Sequence, residues 1–519
     1  MIPKTRREFL RDVGAGVVVA SVGATLADDL GFSTAYAQQG AERLTFGNQE
    51  ALVSLMQETP AARLMPMVVE RLRNGTSLRD VVGAAALANA RTFGGEDYVG
   101  FHTLMAIAPS YHMAQELPEA RRALPVLKVL FRNSTRIQEH GGTRNEVLHP
   151  VQAGELPAGR VGGEVLRDSI RRNRTNPQEP ERLFAAMATN ADDAFNNVLY
   201  AVQDGLDVHR TVLPYRCWDL MSIIGRDHAH TLLRQSVRFC SKGETDNTLR
   251  YFGNLRTILP RVLDTHRLLS REMGTRAAED RWIEELSMTI FRGTPEQAAD
   301  AAGAALAEGF DPAAVSEAIS LATNQLMLRD NGRATDGGPN KPVGSIHGDS
   351  IGVHACDSAN AWRNMARVGN ARNKAVCLIL GAYQAARDRA QRGGNFLNWQ
   401  PYPREDARLE VRKLANDRLL PSLEDAIRNR SQIRAAALTA RYLETNQPVR
   451  AVWDMLLRYA ISEDGALHHE KFYRTTVEEY TAVRTPFKSR YLIALARVTA
   501  SGHGYAAPGY SDACRLLGV

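Results

Sequence analysis

Apolar positions recur at helical spacing over long stretches of the chain, among them Ala61 to Leu72, Leu78 to Ala90 and Arg122 to Phe131. Apolar residues three and four apart form one stripe on a helix, which another element must cover. Alternating β-branched runs bounded by Asn-Gly or Asp-Gly turns are almost absent, and Ala, Leu, Arg and Glu dominate. The pattern predicts an all-α protein in which helices bury their stripes against one another. Leu148 to Gly163 and Gly393 to Arg404 are rich in Gly and Pro and read as connectors.

The pattern also repeats. Thr59-Pro60 opens an Ala-rich helix ending at Gly75, and Thr294-Pro295 opens one ending at Gly309. Val81, Ala84, Leu87 and Ala88 then match Val315, Ala318, Leu321 and Ala322. Gly100-Phe101-His102-Thr103 matches Gly352-Val353-His354-Ala355, and Trp218-Asp219-Leu220-Met221 matches Trp453-Asp454-Met455-Leu456. His228 stands before Arg234 and Val237 as His468 stands before Arg474 and Val477. Ordered self-similarity at a long period predicts an internally duplicated array with pseudo-two-fold symmetry. The expected halves are 38–290 and 291–519. The second carries an insertion, Arg329 to Gly348, whose Asp336-Gly337-Gly338-Pro339 marks a loop.

Residues 1–37 read as an address. Arg6-Arg7 precedes Phe9-Leu10, an apolar run follows from Val13 to Ala27, and Ala35-Tyr36-Ala37 is a small-residue cleavage site. The run falls short of the roughly 20 residues a membrane span needs. The pattern predicts a twin-arginine signal, export of the folded chain by the twin-arginine translocase, and a periplasmic or secreted bacterial protein with no span in its mature form. Export after folding suits a protein that loads a cofactor in the cytoplasm.

Composition narrows the chemistry. The 519 residues carry a net charge of +6, and residues 1–37 hold four charges of each sign, so their removal leaves it unchanged. No basic stripe concentrates this excess, which argues against nucleic acid. The five cysteines are scattered and form no CxxC, which disfavours Cys-ligated zinc, covalent haem and a disulfide framework. No nucleophile elbow, phosphate loop, dinucleotide fingerprint or HExxH occurs.

Histidine remains. Of the thirteen, His102 pairs with His354 and His228 with His468 through the repeat. Equivalent positions in two halves converge on their pseudo-axis, and four imidazoles there make a metal site for Zn, Cu, Fe or Ni. The competing reading has these residues capping helices. His230, His347 and His469 are the neighbours that stand as alternatives to a paired ligand. Asp227 and Asp357 are expected to orient the rings as outer carboxylates, with Asp219 and Asp454 near by in sequence. Lysine is scarce, eight against 56 arginines. Lys128 and Lys374 sit in apolar segments, where burial favours a reactive amine and snorkelling a structural one.

The all-α layout, the two-part arrangement and the segments Gly100-Phe101-His102 and Gly352-Val353-His354-Ala355-Cys356-Asp357-Ser358-Ala359-Asn360-Ala361 resemble the questin oxidase-like family. The resemblance implies mononuclear non-haem iron held mainly by histidines, a modified lysine as a further ligand, and oxidation of a polycyclic aromatic or quinone-like substrate by O2. It carries over to His102, His228, His354 and His468, with Lys374 the lysine. The expected function is therefore an exported iron oxidoreductase acting on a small organic molecule. The alternatives are a zinc hydrolase using the same histidines and a helical-repeat binding or scaffold protein without catalysis.

Overall fold

The computed structural model describes residues 43–338, 340–346, 348, 350–391, 394–445 and 447–519. The expected signal segment and His347 lie outside them. The chain is all-helical, with no strand among the described residues. Among them, too, no helix is long and apolar enough to cross a membrane.

The helices that bear on the site are numbered in chain order: α1 (Tyr98–Gln115), α2 (Leu124–His140), α3 (Gln178–Met187), α4 (Val208–Ile224), α5 (Ala229–Lys242), α6 (Ile351–Val368), α7 (Ala371–Gln391) and α8 (His468–Ala482). Outer helices carry a narrow apolar stripe and a charged face. Ala61–Arg73, for example, buries Leu64, Met65, Val68 and Val69 and exposes Glu70 and Arg71. In contrast α1, α4 and α6 are buried almost all round. A helix without a polar face belongs at the centre of a large helical protein.

Those three and α8 form the centre. Helix α1 packs on α4 and α8, and α6 packs on the same two, so the four close a bundle. Two come from the first expected half and two from the second. Their starts are set locally. Asp97 accepts from the Gly100 amide at 2.7 Å, Asp207 from the His209 amide at 2.9 Å, and Ser350 from the Val353 amide at 3.4 Å. These side chains satisfy amides that the first helical turn leaves without a partner. Helix α8 instead follows Ala466 and Leu467, both at positive φ, in a turn where the Asp464 carboxylate accepts from the Ala466 amide at 3.0 Å.

The Gly-x-His motif has a packing cause. A Cβ on Gly100 would stand 2.5 Å from the Phe93 ring, and one on Gly352 would strike the Met327 sulfur. Only glycine lets the preceding helix approach so closely, which fixes α1 and α6 where His102 and His354 leave them. The expected loop falls where the sequence puts it, between Pro312–Arg329 and α6. The two Thr-Pro segments differ in detail. Thr294 and Gln297 make a reciprocal capping box, whereas the helix after Thr59-Pro60 has no side-chain cap.

Candidate metal centre

Each of the four central helices carries a histidine in its first turns, and these four meet. The Nε2 atoms of His102 and His209 are 3.1 Å apart, and those of His354 and His468 are 3.2 Å apart. Across the two pairs, the rings of His102 and His468 have centroids 5.4 Å apart, and those of His209 and His354 6.1 Å. His102, His354 and His468 are buried, and His209 is nearly so, its side chain 13% exposed.

The outer nitrogens define the inner ones. His102 Nδ1 lies 2.6 Å from the Tyr98 carbonyl oxygen, and His209 Nδ1 lies 3.0 Å from Asp207 Oδ1. Both oxygens only accept, so each Nδ1 carries the proton and each Nε2 presents a lone pair. His468 repeats the arrangement, with Nδ1 3.2 Å from the Gly465 carbonyl. Two lone pairs facing each other at 3.1 Å repel unless a cation lies between them. Burial, the charge of Lys471 and the neighbouring imidazoles hold the His102 ring well below its ordinary pKa, against the pull of the Tyr98 carbonyl. A proton on the His102 ring is therefore disfavoured. Metal–nitrogen bonds of about 2.1 Å at angles of about 90–110° set neighbouring nitrogens about 3.0–3.4 Å apart, which is the separation within each pair. Among the described residues no three such donors are already closed around one point. The tetrad is two close pairs face to face.

Polar groups lie one turn further along the same helix faces. Asp357 is three residues beyond His354, and Lys471 three beyond His468, both buried. Thr475 donates to Asp357 Oδ1 at 2.9 Å, Arg216 reaches Thr475 at 3.3 Å and Asp219 Oδ2 at 3.5 Å, and His112 pairs with Asp219 Oδ1 at 2.8 Å. Burial raises the Asp357 pKa, with Lys471 and Arg216 opposing it. Burial lowers the Lys471 ammonium to about 8, with Asp357 opposing it. A hydrophobic collar of Tyr98 and Phe101 covers the other side. Tyr98 lies 4.3 Å from the His102 ring, and Phe101 lies 5.0 Å from both His102 and His209.

The expected ligand set is thus brought together in three of four members, and His228 is replaced by His209. His228 sits at the N-cap of α5 with no side-chain capping bond, its ring edge-on to Phe46 at 5.8 Å. Neighbouring His230 stacks on Phe184 at 5.2 Å. His469, one residue past His468, points away from the tetrad and wedges between Gly465 and Gly502. Asp227 is exposed beside His228, so of the two expected outer carboxylates only Asp357 is near the tetrad. Asp454 pairs with Arg450 at the surface. Lys374 lies half-buried in the first turn of α7 and makes no polar contact with the tetrad. The lysine beneath the tetrad is Lys471. Lys128 does not snorkel: it is buried on α2 in an ion pair with Glu470 at 2.6 Å.

His209 was detectable in the sequence. It follows His102 by 107 residues, and His468 follows His354 by 114. Asp207-Val208-His209 also reads as an N-cap before an apolar helix.

No protein-family model, curated protein or solved structure matches the chain.

Proposed function

We propose that His102, His209, His354 and His468 bind one transition-metal ion through Nε2, and that the protein is a metal-dependent oxidoreductase acting on a small organic molecule. The observation that carries this reading is the 3.1 Å approach of two Nε2 lone pairs whose Nδ1 protons are already committed. The resemblance in the Gly-x-His segments favours iron over zinc or copper. Imidazole suits all three metals, and the four neutral rings bring neither the thiolate softness that selects copper(I) nor a carboxylate.

The four imidazoles would hold the ion, and an iron ion held there would supply redox chemistry with O2 at a coordination position open to substrate. The chain's own contribution is orientation. The Tyr98 carbonyl and Asp207 fix ring tautomers, as outer acceptors do around metal-binding imidazoles. Burial under Tyr98 and Phe101 excludes bulk water. Asp357 and Lys471 stand where a proton can be held one turn from the rings. The signal-like N-terminus supports export of the folded, loaded chain.

Elemental analysis of protein purified from its own export pathway tests the reading. One iron per chain, lost in His102→Ala and His354→Ala, is expected. Zinc at that stoichiometry would turn the reading to a hydrolase. No metal at all would leave a helical binding protein.

A further inference from the structure

A second feature lies behind the collar. An open cleft of about 670 Å³ is walled by α3, α5 and the connector from Glu146 to Gln152. Its volume falls within the range of small-molecule sites. Arg182, Arg234, Arg238 and Lys242 bring four cations to it. Glu96, Glu146 and Glu181 are the carboxylates. Glu146 is already neutralised from outside the cleft, by Arg43 at 2.9 Å and Arg91 at 3.3 Å. Glu181 is shared by Arg234 at 2.5 Å and Arg238 at 2.6 Å, and Glu96 is held by Arg238. Lys242 reaches Glu96 only at 3.8 Å, and Arg182 is exposed and makes no ion pair among the described residues. The cleft therefore holds a surplus of positive charge.

One further detail fits a ligand with an apolar body. Val147, Pro150, Val151 and Pro177 supply an apolar wall beside the cations. Two buried rings stand between the cleft and the tetrad. Phe239, next to Arg238 on α5, meets Phe101 edge-on at 5.3 Å, and Phe101 touches the His102 and His209 rings.

We infer that this cleft binds an organic carboxylate with a flat apolar body, and that this is the substrate class delivered to the tetrad. The second half rests on the proposed metal function, and the binding itself does not. Calorimetry on metal-free full chain with 2-naphthoate, 2-naphthamide and inorganic phosphate tests the binding. One naphthoate per chain is expected, with naphthamide and the Arg182→Ala/Lys242→Ala variant each binding about tenfold more weakly, the effect of losing charge-assisted contacts. Arg182→Ala alone, at an exposed position, keeps the test valid if the double variant misfolds, and is expected to lose about threefold. Undiminished binding in the variants, or displacement by phosphate at equal concentration, would overturn the assignment. The delivery step is read from the 19F line of 6-fluoro-2-naphthoate, which is expected to broaden when the chain is loaded with Mn2+. A sharp line on a loaded, naphthoate-bound chain would overturn it. A chain that takes up no metal would defeat the metal reading, and the delivery step with it, while the metal-free affinities still decide the cleft.

Discussion

The Nε2 atoms of His102 and His209 face each other at 3.1 Å while the Nδ1 atom of each ring donates to an oxygen that can only accept. In water such an arrangement would relax. Here α1 and α4 hold it, one through the Tyr98 carbonyl a turn below His102, the other through the Asp207 cap.

His209 and His228 separate the tetrad from its alternative. His209→Ala removes one of four lone pairs and is expected to weaken metal binding about 100-fold or more, the scale on which metal sites respond to disrupted ligation. His228→Ala, at a helix start away from the tetrad, is expected to leave affinity within about twofold. Competition titration with a chromophoric chelator measures both. Equal losses in the two variants would contradict the assignment.

Binding at a site formed only by folding also stabilises the fold. With free metal at about 1,000 times its dissociation constant, the folded state should gain about 4 kcal/mol over the metal-free chain. Urea unfolding with and without a chelator reads the difference. His102→Ala is expected to abolish it, and a metal effect that persists in that variant would place the metal elsewhere.

How much of this could be read from the sequence varies from residue to residue. The all-α class followed from apolar spacing, whereas the central position of α1, α4 and α6 emerges only in the structure, where they are buried almost all round. His102 and His354 were marked by a glycine two residues earlier, and the packing of Gly100 on Phe93 and Gly352 on Met327 shows why. His228 stands out over His230 in the sequence because its downstream Arg and Val match those after His468, and His209 carries no such match. That match follows helix faces, and it does not reveal which helix starts meet in space. Lys471 escaped notice for a similar reason. Its place beneath the tetrad depends on a helical phase set at His468, which in turn depends on the positive-φ turn at Ala466 and Leu467.

Lys128 and Glu470 tie α2 to α8 with both side chains out of water. Lys128 also donates to the Ala460 and Glu463 carbonyls at 2.9 and 2.7 Å. Removing one partner strands a buried charge, so Glu470→Leu should cost about 3–5 kcal/mol of stability. Lys128→Met/Glu470→Leu together should recover most of that loss. Equilibrium denaturation of the three chains is the check, and a double variant no better than the single would contradict the buried-pair account.

His230 gives the fold an acid sensitivity of defined sign. Burial against Phe184, with the Arg234 charge adding to it, lowers the ring to about 4. The unfolded chain takes up a proton near pH 6.5, before the folded chain does. The stability contribution is therefore complete above about pH 6.5 and falls by about 3 kcal/mol as pH drops towards 4. His230→Phe keeps the stack and removes the titration, so its stability should decline less over that interval. Parallel pH profiles for the two chains would contradict the assignment.

X-ray absorption at the metal edge of the loaded, full-length chain tests the central claim most directly. One ion per chain with four imidazole nitrogens at about 2.0–2.2 Å, falling to three in His209→Ala, is the predicted result. A shell without imidazole, or one left unchanged by His209→Ala, would contradict it.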